Sequence, residues 1–185
     1  MKAGTACVTK KGVERWKNGH PWIYAADVES VGSDVQGGDV VRVEDSRGWF
    51  MGQALYSKAS KISLRWLAWD DTPIDVDLFR ARLEAADALR RKEYPDDTAY
   101  RVVHGEADLI PGLVVDRFGD YLSVQFLHAG TERRKQLFVD LLPRTCRGFG
   151  VGRHQVAPPQ QRGGAGLVAG LEHHQTLVAQ LAGRQ

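Results

Sequence analysis

Residues 39–56 read DVVRVEDSRGWFMGQALY. From Asp39 to Asp45 the residues alternate, with Val41 and Val43 on one face and Val40 and Arg42 on the other, the pattern of a half-buried strand. Ser46-Arg47-Gly48 is a hairpin turn. Residues 49–56 return as a strand in which Gly52 marks a bulge or a close contact. Gly37-Gly38-Asp39 turns the chain into this hairpin, and residues 62–69 (ISLRWLAW) supply a further strand. Short strands punctuated by Gly and Asp point to a small barrel or sandwich.

Upstream, Val8-Thr9-Lys10 reads as a first strand and residues 12–18 (GVERWKN) as about two helical turns, with Val13 and Trp16 at i and i+3 on one face. Gly19 stands where a helix C-cap is expected and Pro21 follows, a stop signal. Trp22-Ile23-Tyr24 then opens an extended stretch. Packing accounts for tryptophans in such a context, and Trp22 is expected to support the surface from beneath. The polar residues support a second reading. Lys10, Lys11, Arg15 and Lys17 lie within one short strand and helix, so their charges can converge on a phosphate backbone and release its counterions. His20 can stack on or hydrogen-bond to an exposed base, and with Trp22 it shapes the rim of such a surface.

Downstream of Pro73 the period changes to 3.6. Residues 75–93 predict a helix with Phe79, Leu83, Ala86 and Leu89 in one stripe, acids early and Arg90-Arg91-Lys92 late, complementing the helix dipole. Residues 100–103 predict a strand. Residues 113–118 and 121–126 flank Gly119-Asp120, a strong hairpin signal. Residues 131–142 predict a second helix with Leu137, Phe138, Leu141 and Leu142 on its apolar side. Residues 143–185 are rich in Gly, Arg, Gln and Pro; such a tail offers too little apolar surface to offset its ordering entropy, so disorder is expected, with a weak helix over 167–181. The expected fold class is α+β, divided as 1–74, 75–142 and the tail 143–185.

Net charge is +2, but it is unevenly distributed. Residues 1–24 carry five Lys or Arg against one acid, and residues 143–185 again five against one, while the middle is acidic. Local excess of this kind attracts a polyanion. No apolar run is long enough to cross a bilayer, and the first residues hold no signal-peptide core, so a cytoplasmic protein without a membrane partner is expected. Two cysteines, Cys7 and Cys146, are too few for a disulfide framework and lack metal-ligand spacing. His104, Glu106, Asp108, Asp116 and Asp120 crowd one stretch and could bind a metal or move a proton. The intervening Gly105, Pro111, Gly112 and Gly119 favour the alternative, tight turns whose carboxylates bind backbone amides. No metal site and no catalytic residue are assigned, and no Gly-rich loop between a strand and a helix offers a cofactor cradle.

Three stretches, GHPWIY (19–24), GGDVVRVEDSRGWFMGQALYSKASKISLRWL (37–67) and YRVVHGEADLIPGLVVDRFGDYLSVQFLHAG (100–130), together resemble the N-terminal half of the bacterial large-subunit ribosomal RNA methyltransferase I family. The resemblance covers about residues 8–142. It implies a PUA-like β-barrel over 1–74 that binds ribosomal RNA, and over 75–142 an α/β linker domain with a β-hairpin. In the family a Rossmann-like domain follows, which binds S-adenosylmethionine and methylates carbon 5 of a cytosine in 23S rRNA. The resemblance stops near Pro143, before that domain's cofactor motif and catalytic cysteine, and the tail has the composition of a truncated or frame-shifted product. The expectation is an RNA-binding and linker portion with no cofactor of its own, inactive alone. Two other readings are methyl transfer completed by a partner, and a non-catalytic homodimer pairing through strand edges and the Leu137/Phe138/Leu141 face.

Overall fold

The computed structural model describes residues 4–146, 154–156 and 175–180, and the chain divides into two compact units, Met1–Ile74 and Asp75–Gln185.

The first unit runs β1 (Gly4–Val8), α1 (Lys10–Lys17), β2 (Trp22–Tyr24), a 3-10 turn (Ala25–Asp27), β3 (Val28–Val31), β4 (Val40–Asp45), β5 (Phe50–Tyr56) and β6 (Ile62–Ala68). The strands form one sheet in the order β2-β6-β5-β4-β1-β3. Neighbours are antiparallel except β1 and β4, which pair in parallel from Gly4↔Val41 to Val8↔Asp45. The sheet curls into a half-barrel with β2 and β3 as its edges, so the expected barrel is open. The alternation of β4 is realised, with Val41, Val43 and Asp45 buried and Val40, Arg42 and Glu44 half-buried. With Ala6, Val8, Ile23, Met51, Ala54, Leu64 and Trp66, Val41 and Val43 build the core, and Val13 and Trp16 of α1 close it from one side. Each large side chain removed from water here contributes about 1.5–3 kcal/mol. Gly52 is the predicted close contact: its φ is +141°, and a Cβ there would stand 2.4 Å from the Ala68 carbonyl oxygen.

The second unit runs α2 (Val76–Glu93), β7 (Ala99–His104), β8 (Leu113–Phe118), β9 (Tyr121–Phe126), α3 (Ala129–Glu132), α4 (Lys135–Thr145), β10 (His154–Val156) and β11 (Gln175–Gln180). Its antiparallel sheet has the order β10-β11-β9-β8-β7. The Gly119-Asp120 hairpin forms as predicted, with Phe118 paired to Tyr121 across it and Gly119 at φ +58°. Asp75 caps α2 by accepting from the Asp77 and Leu78 N–H groups.

Several expectations need correction. Leu89 is 50% exposed rather than part of the α2 stripe. At about 100° per residue, the line through Phe79, Leu83 and Ala86 continues at position 90, not 89. The predicted helix over 131–142 is two helices. His128 caps the first through Nδ1, which accepts the Gly130 N–H at 2.9 Å, and the second continues through Pro143 to Thr145. The apolar face of α4 is not free for a partner. Phe138 and Leu141 are buried, with Phe138 edge-on to Phe79 at 5.2 Å and tilted against Phe126 at 6.3 Å. Of the tail expected to be disordered, 147–153, 157–174 and 181–185 lie outside the described residues. Within the expected helix over 167–181, residues 175–180 are instead a strand, paired from Gln175↔Phe126 to Gln180↔Tyr121. The outer edge of β9 offers a row of backbone donors and acceptors that an isolated weak helix cannot match.

Candidate nucleic-acid interface

The candidate surface is built on α1, whose position is locally determined at both ends. Thr9 is the N-cap, its hydroxyl accepting the Gly12 N–H at 3.3 Å, so the helix begins at Lys10 rather than Gly12. Gly12 lets the helix lie against β1, since a Cβ would be 2.9 Å from the Val8 Cβ and 3.0 Å from the Asp27 carbonyl oxygen. At the far end Gly19 takes φ +69°, with its N–H on the Trp16 carbonyl and the His20 N–H on the Arg15 carbonyl. These two bonds make a Schellman cap, as the Gly19 position predicts.

The four predicted cations do not form one cluster. Lys10 and Lys17, seven residues apart, fall on nearly the same side of the helix, with Glu14 between them; Lys11 and Arg15 fall about a third of a turn away. That second pair converges on Asp27, whose side chain is 5% exposed. Arg15 Nε donates to Asp27 Oδ2 at 2.7 Å and Lys11 Nζ stands 3.9 Å from Oδ1. The Arg15 guanidinium also lies 4.7 Å from the centre of the Tyr24 ring. Lys10 and Lys17 are exposed and carry no ion pair among the described residues.

Strand alternation places the predicted rim residues. β2 sends Ile23 into the core and leaves Trp22 and Tyr24 half-buried on the other face, so Trp22 is not the inward packing residue; Trp16 takes that part. The Arg65 guanidinium lies 5.6 Å from the Trp22 ring centre. His20 stands between Trp22 and Tyr24, its ring 5.9 Å and 6.2 Å from theirs. Its Nδ1 is 3.1 Å from the Trp22 N–H and 3.0 Å from the Trp22 carbonyl oxygen. One ring nitrogen serves only one of these at a time: unprotonated Nδ1 accepts the first, protonated Nδ1 donates to the second.

One group escaped the sequence reading. In the β4–β5 turn the buried Asp45 carboxylate accepts the Arg47 and Trp49 N–H groups at 2.9 and 2.8 Å and the Arg47 Nη2 at 3.0 Å. These bonds, the Trp49 N–H foremost, hold the Asp45 carboxyl below the usual aspartate range against the opposing effect of burial. Trp49 emerges 58% exposed, edge-to-face with Trp16 at 6.0 Å, and Trp16, Lys17, Arg47, Gly48 and Trp49 line one open cleft. The signal in the sequence is Arg47-Gly48-Trp49, an aromatic residue directly after a polar turn, which equally fits the start of a strand.

Two carboxylates of the acidic stretch in the second unit are tied into the fold. Asp108 accepts from Arg90 at 2.8 Å and from the His104 N–H at 2.6 Å, and Asp116 holds Arg101 at 2.7 Å. Among the described residues no group of three His, Cys, Asp or Glu side chains could hold a metal.

Cofactor and thiol chemistry also find little support here. Strands pass into helices at Thr9, over 69–75 and over 127–128, and none of these connections is Gly-rich, so the described residues do not fit the S-adenosylmethionine cradle. Cys146 is buried at the end of α4, and burial pushes its thiol up to about 12, which leaves no attacking thiolate near neutral pH. No helix among the described residues is long and apolar enough to cross a membrane.

Residues 7–69 match the PUA-like domain family. The chain is similar to ribosomal RNA large subunit methyltransferase I of Erwinia tasmaniensis, 37% identical over 128 residues, covering 68% of this chain and 32% of that protein. The Vibrio cholerae protein of the same name is 36% identical over 125 residues, covering 66% and 32%. That of Shewanella denitrificans is 31% identical over 169 residues, covering 89% and 43%. The resemblance stated from the sequence therefore stands for the N-terminal portion, and the chain spans about a third of the length of the first two relatives. A solved chain described as a SAM-dependent methyltransferase, from Streptococcus mutans, superposes with a TM-score of 0.70 at 19% identity, covering 84% of this chain and 44% of that one. A second methyltransferase, complexed with SAH, superposes at 0.68 with 18% identity, covering 81% and 39%. At these identities the two structures speak to the fold alone.

Proposed function

We propose that this chain, whose residues 7–69 are a PUA-like domain and whose N-terminal portion matches ribosomal RNA large subunit methyltransferase I, is the RNA-binding and linker portion of an S-adenosylmethionine-dependent methyltransferase acting on cytosine carbon 5 of large-subunit ribosomal RNA. The observation that carries the reading is α1. It is a two-turn helix rigidly capped at both ends, with Lys10 and Lys17 free on one side, the ring of His20 just past the cap and those of Trp22 and Tyr24 in the strand that follows. Two lysines whose backbones stand about 10 Å apart along the axis can each reach a phosphate of one strand, and flat side chains suit unpaired bases. Arg15 and Lys11 contribute less, because Asp27 already holds them.

Methyl transfer belongs outside the described residues in this reading. They supply neither a cofactor cradle nor a reactive thiolate, and they would serve by holding and orienting RNA. Labelled S-adenosylmethionine with ribosomal RNA should give background incorporation on this chain alone; methylated cytosine would refute that part.

Fluorescence anisotropy of 23S rRNA fragments across a salt series tests the binding. Lys10→Glu with Lys17→Glu should weaken affinity and flatten the log–log salt slope by roughly 1.4–1.8, two phosphate contacts at 0.7–0.9 each. Arg15 is left alone, since a carboxylate there would face Asp27 and unfold the surface under test. Wild-type affinity no better for rRNA than for heparin, or a slope the double variant leaves unchanged, counts against the proposal.

A further inference from the structure

The cleft between α1 and the β4–β5 turn combines features that the phosphate-gripping lysines alone do not explain. Trp49 exposes more than half of its surface at a turn, where a tryptophan contributes little to the core. Its backbone is held by Asp45 through the Trp49 N–H and through the Asp45 N–H on the Trp49 carbonyl at 3.0 Å. The edge-to-face contact with Trp16 supports the ring itself. The ring is therefore pre-oriented and loses little freedom on meeting a ligand. Lys17 flanks it without an ion partner among the described residues. Arg47 flanks it from the turn, with its side chain 83% exposed and its Nε and Nη2 edge on Asp45.

We infer that this cleft is a stacking subsite for one unpaired nucleotide, its base on the free face of Trp49 and its phosphate beside Lys17 and Arg47. The inference rests on the RNA-binding reading and deepens it by stating the substrate class: RNA that is single-stranded where it meets the β4–β5 turn. A base in the interior of a duplex keeps both faces inside the helix stack and cannot use an isolated indole face, whereas an unpaired one can. The ring-lined cleft of the second unit, around Tyr94 and Tyr100, has no cation like Lys17 that is clear of a carboxylate among the described residues, because its Arg90 and Arg101 are bound by Asp108 and Asp116.

The test measures the full chain against two probes over a salt series, a short unpaired oligoadenylate and a long RNA duplex in which terminal base pairs are a small fraction. Trp49→Ala should weaken oligoadenylate binding about 5- to 150-fold, the cost of one lost base–aromatic stack. Trp49→Phe, which keeps a flat face, should recover most of that loss. Duplex affinity and both salt slopes should stay at wild-type values, since no phosphate contact is removed. A Trp49→Ala variant that loses both probes equally, or neither, overturns the inference, as does a Trp49→Phe variant as weak as alanine. If wild-type protein binds neither probe in a salt-dependent way, the RNA-binding reading fails first and the inference with it. Salt-dependent binding of both probes that is indifferent to Trp49 sinks the inference alone.

Discussion

Asp27→Asn separates the structural part of the α1 charge from the part available to a ligand. The Asp27 side chain is 5% exposed and Arg15 is 29% exposed, with Nε to Oδ2 at 2.7 Å. A hydrogen bond to a charged group in this setting contributes about 1.5–3 kcal/mol, and the asparagine oxygen retains part of it. The Lys11 contact, at 3.9 Å to a side chain 69% exposed, contributes little. The substitution should therefore destabilise the first unit by about 1–2 kcal/mol. All five tryptophans lie in residues 1–74, so urea unfolding followed by tryptophan fluorescence reports on that unit alone. RNA binding should change in the opposite direction. Removing the carboxylate charge releases Arg15 and Lys11, and each cation that reaches a phosphate steepens the salt slope by about 0.7 for single strands. Affinity at low salt should rise and the slope should steepen by up to about 1.4. A folded variant with an unchanged or shallower slope would show that these two side chains never reach RNA, or that Asp27 orients them for it, and the division of labour on α1 drawn above would be wrong.

The remaining predictions concern the frame that holds the surface. Gly52→Ala should cost about 3 kcal/mol or more, because the added Cβ meets the Ala68 carbonyl at 2.4 Å and the Trp69 Cα at 3.0 Å in a strained φ region; Gly48→Ala, with nothing within 4 Å of its Cβ, should cost about 1–2 kcal/mol from its positive φ alone. Urea midpoints compare the two directly, and equal losses would contradict the close approach. The lowered Asp45 carboxyl contributes stability that is present above the ordinary aspartate value and is lost as pH falls through its lower folded value. Acid titration of tryptophan fluorescence should thus show a step below about pH 4 that Asp45→Asn removes. Cys146 should resist alkylation up to pH 9 in the folded protein and react only on unfolding, whereas half-buried Cys7, its thiol raised mainly by burial and then by Glu29, should react slowly; mass spectrometry of the labelled chain separates them.

Much of the architecture was legible because its causes are local. The Gly119-Asp120 hairpin, the alternation of β4, the acidic cap of α2 and the Gly19 stop of α1 each depend on residues within one turn or one strand of each other. Failures arose where a nearby residue was not the deciding one. β3 reads Val-Glu-Ser-Val and carries little strand signal, yet it pairs with β1 because that edge is open. The α2 stripe ends on Arg90, a charged residue that no apolar pattern would choose, and it is tolerated there because Asp108, eighteen residues further on, supplies a carboxylate for the guanidinium. Residues 175–180 became a strand through pairing with β9, 49 to 59 positions earlier.

The sequence by itself determined that the chain has two β-containing parts, that its first helix is short, basic and capped, and that the positive charge there exceeds the acid nearby in the chain. Tertiary structure alone decided which of those charges are free. Asp27 lies twelve residues from Arg15 and is outside the helix, so no spacing rule on α1 reveals that it takes up two of the four cations. The same holds for Trp49, brought beside Trp16 and Lys17 by the curl of a sheet rather than by any local pattern. Charge and ring energies depend on separation in space, not on separation along the chain.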